Sequence, residues 1–417
     1  MSEIFDLAKT ITHRLHRAGY IAYFAGGWVR DFVMNRPSKD IDIATDAPSS
    51  AIIELFPHTI PVGLAFGVVV VVYKGHHFEV ATFRKDLDYQ DGRHPQAIEL
   101  SNPEEDAKRR DFTINGMFYD PIKEEILDFV GGKSDIEKKI VKAIGNPYER
   151  FVEDRLRMIR AFRFASRLSF SIEKETLEAI RLNAAQLFPA VAIERIWQEF
   201  TKMVAYPHFD LAIIGMFEVG LLQIIFPDLQ NVSLQEIRKY VLTYRAFPEK
   251  ASAIFYLLQL FPNANIQQQL EIANKFKISN KERESVCYVG KLYSFIKNEL
   301  QGNQQELFDW AHAFAEHDSI FYLKIALVTF DVHLRETLLK KYQELFQNLA
   351  LHIERIRERK PLISSQFLFE KGIKPGKKMG RLLKEAERIT INENLFDKEQ
   401  IFAQLQNHSV WKDQNAS

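Results

Sequence analysis

The run Gly26-Gly27-Trp28-Val29-Arg30-Asp31, followed by Asp40-Ile41-Asp42, points to phosphate and metal chemistry. Glycine tolerates positive φ and lets backbone amides come close to an anion. The two aspartates are two residues apart, so on a strand their carboxylates leave the same face. Paired hard oxygen ligands suit Mg²⁺ that also holds a triphosphate. Two such ions about 4 Å apart can activate an attacking hydroxyl and stabilise a leaving pyrophosphate. A phosphate-holding turn ahead of a metal-holding acid pair therefore suggests nucleotidyl transfer.

Other groups extend this chemistry. Glu79 lies in the apolar run Phe78–Phe83, where a charge is expensive unless it is paired or bound to metal. It is either a third acid beside Asp40 and Asp42 or a salt-bridge partner of Arg84. In Lys108-Arg109-Arg110-Asp111-Phe112-Thr113-Ile114-Asn115, three cations can screen a triphosphate while Asp111 and Asn115 hydrogen-bond a ribose. Asp154 and Arg157, at i and i+3 where a basic helix opens, are expected to share a face and support each other. An acid beside a guanidinium can read the amine and neighbouring acceptor that C and A both present, and reject U and G. The same spacing also describes a plain helix ion pair. Arg157, Arg160, Arg163 and Arg167 continue as a stripe that either lines a phosphate cleft or faces solvent. His312 and His317-Asp318 have the residue types of a metal phosphohydrolase, without a complete ligand set.

The elements that must position these groups change character along the chain. Up to about residue 140, helix-like and strand-like patterns alternate. Ile4–Ala18 has helical period, Tyr20–Ala25 and Asp40–Ala44 read as strands, and Val68–Tyr73 and Phe78–Phe83 flank a turn at Lys74-Gly75-His76. Beyond Asn146-Pro147 strand signals vanish, and prolines 189, 207, 227, 248 and 262 punctuate successive helices. Arg84–Pro95 reads as a polar surface loop, and Gly372–Arg381 as a basic, glycine-rich break before the helical run Leu382–Ile389. The 417 residues exceed one ordinary core, and 46% hydrophobic content supports folded domains. With 55 basic and 55 acidic residues, no whole-molecule field draws nucleic acid, so any RNA site must be a local patch. Cys287 is the only cysteine, which excludes a disulfide framework and a cysteine zinc site and fits a reducing cytosol. The acidic N-terminus reads as an amphipathic helix rather than a signal peptide or membrane span.

Gly26–Arg30, Asp40–Thr45, Lys108–Asn115 and Glu153–Arg157 together resemble the class II tRNA nucleotidyltransferase and poly(A) polymerase family. The resemblance implies an α+β fold: a polymerase-β-like head (1–140), then an all-α neck (141–205), body (206–335) and tail (336–417). It implies template-independent CCA addition to tRNA from CTP and ATP, with two Mg²⁺ ions, in the cytoplasm and away from membranes. The tail would hold the tRNA acceptor stem and elbow. By the same resemblance Asp40 and Asp42, with Glu79 as a helper, are catalytic, and the first two bind metal. Gly26, Gly27, Arg30 and Arg110 hold the triphosphate, Asp111 and Asn115 the ribose 2′-hydroxyl, and Asp154 and Arg157 the base, with Arg160 and Arg163 beside them. Glu194–Glu199 would fix the base-reading helix through charge pairs. Asp91-Gly92-Arg93-His94-Pro95 follows the style of the loop associated with adding the terminal A, which favours complete CCA addition. Pro61–Gly67 lacks the paired arginines of bacterial poly(A) polymerases. A poly(A) polymerase, an A-only or CC-only enzyme, and a catalytically silent RNA-binding protein are the alternatives.

Overall fold

The computed structural model describes residues 3–38, 40–63, 67–89 and 95–412. They form two compact units, residues 1–241 and 242–417. No described helix is long and apolar enough to cross a membrane.

The first unit opens with α1 (Glu3–Arg17), which buries Phe5, Leu7, Ala8, Ile11 and Leu15 at helical spacing. The chain then alternates β1 (Ala22–Ala25), α2 (Gly27–Val33), β2 (Asp42–Thr45), α3 (Ser49–Leu55), β3 (Thr59–Gly63), β4 (Val68–Tyr73) and β5 (His76–Thr82). Strands β6 (Arg84–Tyr89) and β7 (Pro95–Leu100) pair with each other, and α4 (Pro103–Lys108) follows. Strands β8 (Phe118–Asp120) and β9 (Glu125–Leu127) complete a seven-stranded mixed sheet in the order β3-β4-β5-β2-β1-β8-β9. Its centre is the antiparallel pair β1–β2, with Ala25 opposite Asp42, and the parallel pair β2–β5, with Ile43 beside Val80.

Alternation along these strands separates two faces. Phe24, Ile43, Val69, Val71, Phe78 and Val80 are buried on one. Phe5 of α1 meets Phe24 edge-on there, with ring centroids 5.6 Å apart. Asp42, Glu79 and Ala25 belong to the opposite face, where Ala25, Ala44, Phe83, Ala107 and Phe118 form a small cluster.

Several local expectations change. Only Asp42 of the acid pair lies within a strand; Asp40 is exposed just ahead of it. Glu79 is exposed, because alternation in β5 turns it away from buried Phe78 and Val80, so it bears no burial penalty. The turn between β4 and β5 narrows to Lys74 and Gly75, at φ 47° and 79°. Positive φ at both turn residues matches a two-residue hairpin. The polar segment from Arg84 is a paired strand rather than a loop, and residues 90–94 fall outside the described residues.

After α5 (Gly132–Glu137), β10 (Ile140–Val141) pairs in parallel with β11 (Ser171–Ile172), a strand that helical patterning had hidden. Between them lie α6 (Pro147–Glu153) and α7 (Leu156–Leu168). The unit continues through α8 (Lys174–Asn183), α9 (Ile193–Met203) and α10 (Phe209–Glu218).

The second unit is helical throughout its described residues. One core gathers Leu292, Trp310, Phe314, Leu338 and Tyr342. Another gathers Leu368, Leu382, Ala386, Ile401 and Leu405. The helix after the glycine-rich break is longer than its apolar pattern suggested, running Lys377–Asn392 from Gly376.

Candidate active site

The glycine turn, the acidic strand and the basic segment converge on the sheet face that carries Asp42. Strand β1 ends at Ala25, and Gly26, at φ 68° and ψ −134°, turns the chain into α2. A Cβ on Gly26 would stand 3.4 Å from Arg110 Nη1 and 3.5 Å from Asp42 Oδ2. The turn therefore brings backbone, carboxylate and guanidinium together, and a side chain there would fill the space between them. Burial, and then the charges of Glu79 and Asp40, push the Asp42 carboxyl up to about 6 despite Arg110. This crowded negative charge is what a hard cation relieves, and the oxygen donors suit Mg²⁺. Among the described residues, no three metal-ligating side chains form a closed cluster. The fit thus rests on Asp40 and Asp42, with Glu79 close enough to act through its charge.

Arg110 is aimed by a residue that the sequence reading passed over. Asp106, in α4, is 1% exposed. Its Oδ2 accepts from Arg110 Nη2 at 3.0 Å, and its Oδ1 accepts from Arg109 Nε at 2.8 Å. Burial raises the Asp106 carboxyl, but the Arg110 and Arg109 charges outweigh it and hold the group below its ordinary value. The Arg110 guanidinium also lies 5.0 Å from the Phe118 ring centroid. The i,i+3 and i,i+4 spacing of Asp106 to both arginines was the available signal.

Behind this triad, a short 3₁₀ turn (Thr113–Asn115) presents Asn115. Asn115 Nδ2 donates to Asp111 Oδ1 at 3.0 Å, and Asn115 Oδ1 accepts from Arg30 Nη1 at 2.7 Å. Asp111 Oδ1 also accepts from Phe112 N–H at 2.8 Å, and Oδ2 takes Nε and Nη2 of Arg160. Burial raises the Asp111 pKa, but the Arg160 charge and the Asn115 and Arg160 hydrogen bonds carry it well below the carboxylate range. Arg30 is 1% exposed and bonds to Asp31 Oδ1 through Nε at 2.9 Å and Nη2 at 2.7 Å. Its place is beneath Asn115 rather than at the surface of the turn.

Asp154 and Arg157 meet through the backbone, Arg157 N–H donating to the Asp154 carbonyl at 3.1 Å, while their side chains hold other partners. Asp154 ends α6 with extended backbone, φ −141°, which puts it outside the helix that carries Arg157. Its Oδ1 accepts from Leu156 N–H at 3.1 Å, and Oδ2 lies 3.7 Å from Arg195 Nη2. Arg157 instead donates to Glu153 Oε2 at 3.0 Å and to the Arg109 carbonyl at 3.1 Å. Arg150, not singled out in the sequence, donates to the Arg110 carbonyl at 2.7 Å. Arg150 therefore ties α6, and Arg157 the start of α7, to the segment carrying Arg109 and Arg110.

The arginine stripe is a ladder of ion pairs, half-buried at Arg160 and Arg167, rather than a free solvated face. Arg160 pairs with Asp111, Arg163 with the buried Glu199 and Arg167 with Asp31. Charge pairs expected from Glu194–Glu199 are thus present at Arg195 and Glu199. In the second unit, Asp318 caps the helix Ser319–Ala326, accepting from Phe321 N–H, and His317 packs against the Tyr288 and Tyr322 rings. That arrangement explains the His-Asp doublet without a metal.

Comparison with known proteins adds a separate line. The "Poly A polymerase head domain" matches residues 22–142, the "Probable RNA and SrmB-binding site of polymerase A" residues 169–232, and tRNA nucleotidyltransferase domain 2 residues 246–405. The CCA-adding enzyme of Pediococcus pentosaceus is 34% identical over 402 residues, spanning 95% of this chain and 96% of that one. The CCA-adding enzyme of Bacillus velezensis is 43% identical over 224 residues, 54% of this chain and 56% of the relative. Among solved structures, the Bacillus stearothermophilus CCA-adding enzyme in complex with CTP superposes with a TM-score of 0.80 at 27% identity, covering 100% of both chains. The Thermotoga maritima CCA-adding enzyme complexed with tRNA shares the fold, with a TM-score of 0.70 at 19% identity over 98% of this chain and 96% of that one.

Proposed function

The chain belongs to the CCA-adding enzyme family of tRNA nucleotidyltransferases, and from that premise we propose that it builds or repairs the 3′ CCA end of tRNA from CTP and ATP. In each cycle the tRNA 3′-oxygen bonds to the α-phosphorus, its bond to the β-phosphate side breaks, and pyrophosphate leaves. The observation that carries this reading is the convergence of Gly26, Asp42 and Arg110 on one sheet face.

Roles follow from position and chemistry. Gly26 and Gly27 offer backbone amides, and Arg110, held by Asp106, supplies positive charge for the triphosphate. Asp40 and Asp42 would hold Mg²⁺, two ions being expected. Bound there, the metal would acidify the attacking hydroxyl and offset charge on the leaving group. Asn115 faces the ribose, with Asp111 holding its amide nitrogen and Arg30 its amide oxygen. Asp154 and Arg157, each fixed by its own partner, present an acceptor and a donor for the incoming base. The four-part division into head, neck, body and tail would place the body, residues 206–335, across the boundary between the two units at 241 and 242, with Lys374, Lys377, Lys378 and Arg381 of the tail offering phosphate contacts for tRNA. A tRNA substrate and a single cysteine fit the cytoplasm.

The direct test offers purified protein three tRNA transcripts, ending before CCA, after C and after CC, with CTP and ATP separately and together. Addition of C, C and A followed by arrest supports the reading. Open-ended A addition, extension of the CC-ended transcript alone, a halt after CC, or no transfer would each replace it.

A further inference from the structure

Hydrogen-bond capacity around Asn115 singles out one group on the ribose. Asp111 has about four lone-pair directions, and four donors fill them: Phe112 N–H, Asn115 Nδ2 and two nitrogens of Arg160. It has nothing left to offer a hydroxyl while Arg160 stays in place. Asn115 is different. Its Oδ1 faces Arg30, a group that only donates, and its Nδ2 faces ionised Asp111, a group that only accepts. Between two such neighbours the amide has one orientation. One Nδ2 hydrogen and one Oδ1 lone pair stay uncommitted. A 2′-hydroxyl both donates and accepts, so it matches this remainder, and a 2′-deoxyribose has nothing to place there.

The orientation depends on Arg30, and Arg30 depends on Asp31. Asp31 is 3% exposed and divides its carboxylate between two arginines. Oδ1 takes Nε and Nη2 of Arg30, leaving Nη1 to point at Asn115. Oδ2 accepts from Arg167 Nη2 at 2.8 Å. Arg167 closes α7, the helix whose Arg160 holds Asp111. The ring Arg167–Asp31–Arg30–Asn115–Asp111–Arg160 thus leaves α7 and returns to it.

We propose that Asp31, held by Arg167, is a positioning residue for ribose selection, fixing through Arg30 the Asn115 orientation that reads the 2′-hydroxyl. This rests on the ribose being placed at Asn115. Neither Asp31 nor Arg167 touches the nucleotide in this scheme.

The experiment compares kcat/KM for CTP and 2′-deoxy-CTP on a tRNA transcript lacking CCA, in the wild-type chain, Asn115→Ala, Asp31→Asn, Arg167→Gln and Arg167→Lys. Asn115→Ala should lower the CTP preference about tenfold, the worth of one or two hydrogen bonds. Asp31→Asn and Arg167→Gln should lower it roughly three- to tenfold, with Arg167→Lys recovering part of the loss. A merely structural role would slow both nucleotides alike and leave their ratio unchanged. Arg167 is partly exposed, and Arg30 keeps Asp31 when it is replaced, so Arg167→Gln keeps the test usable if Asp31→Asn fails to fold. An altered ratio in Asn115→Ala with wild-type ratios in Asp31→Asn and Arg167→Gln would overturn the positioning role and leave the ribose site standing. An unaltered ratio in Asn115→Ala would overturn both.

Discussion

Glu199 is the residue whose loss should most disturb α7, the helix that carries Arg157. Its side chain is 4% exposed, and Oε2 accepts from Arg163 Nε, itself 8% exposed. Arg160 and Lys202 stand farther off at 4.0 and 3.9 Å and reach solvent, at 30% and 58% exposure. Screened contacts of that kind contribute about 1 kcal/mol or less. The deficit in Glu199→Leu therefore falls on Arg163, a buried guanidinium left without its carboxylate. Breaking a buried pair from one side costs about 3–5 kcal/mol, whereas replacing both partners with apolar groups is near neutral. The Phe164 ring, 4.1 Å from the Arg163 guanidinium, returns only about 1 kcal/mol. Glu199→Leu should then lose about 3 kcal/mol or more, and Arg163→Met/Glu199→Leu should regain most of it. Hydrogen exchange of peptides from residues 156–168 across a urea series reads this unit separately from the second. KM for CTP and ATP should rise in the single variant, since Arg157 opens the same helix. A double variant as unstable as Glu199→Leu, or a single variant within about 1 kcal/mol of wild type, would refute the reasoning.

Two further outcomes follow from the same geometry. Gly26→Ala places a methyl at φ 68° between Arg110 and Asp42. The backbone strain should cost about 1–3 kcal/mol, and kcat/KM for both nucleotides should fall beyond what a melting shift explains; wild-type kinetics in end-filling assays would contradict it. Asp111 titrates below its ordinary value in the folded chain, so the unfolded chain binds more protons in the acid range and stability rises with pH there. Its contribution is complete above the ordinary carboxylate pKa and disappears as pH falls through the folded value. Asp111→Asn should lower stability by about 1–3 kcal/mol at pH 7 and flatten the acid limb of the stability curve, as read from urea midpoints between pH 7 and 3. An unchanged acid limb would place the pairing elsewhere.

What was legible in the sequence was local. The glycine turn, the acid doublet and the basic run before Asp111 announce themselves within a few residues, and the structure brings Gly26, Asp42 and Arg110 together. Patterning failed where a local rule met an exception. The apolar run around Glu79 makes its charge look costly, yet period-two alternation exposes it. Asp154 and Arg157 have the spacing of helix neighbours, yet Asp154 lies at the break between α6 and α7 and its side chain takes other partners. The ring beneath Asn115 leaves no short-range trace: Arg30 meets Asn115 across 85 residues, Arg160 meets Asp111 across 49, and Arg167 meets Asp31 across 136. The last two follow from how α7 packs against the elements that carry Asp111 and Asp31, which no spacing rule encodes.

If the Asp40–Asp42 face carries out nucleotidyl transfer to tRNA, single-turnover extension of a transcript lacking CCA, with CTP and ATP, separates Asp42→Asn from wild type. Removing a charge from a site where Glu79 and Asp40 already crowd Asp42 should leave the melting temperature unchanged or raised. Three additions by wild type and none by a folded Asp42→Asn are predicted. Sustained addition of C, C and A by the folded variant would contradict the account.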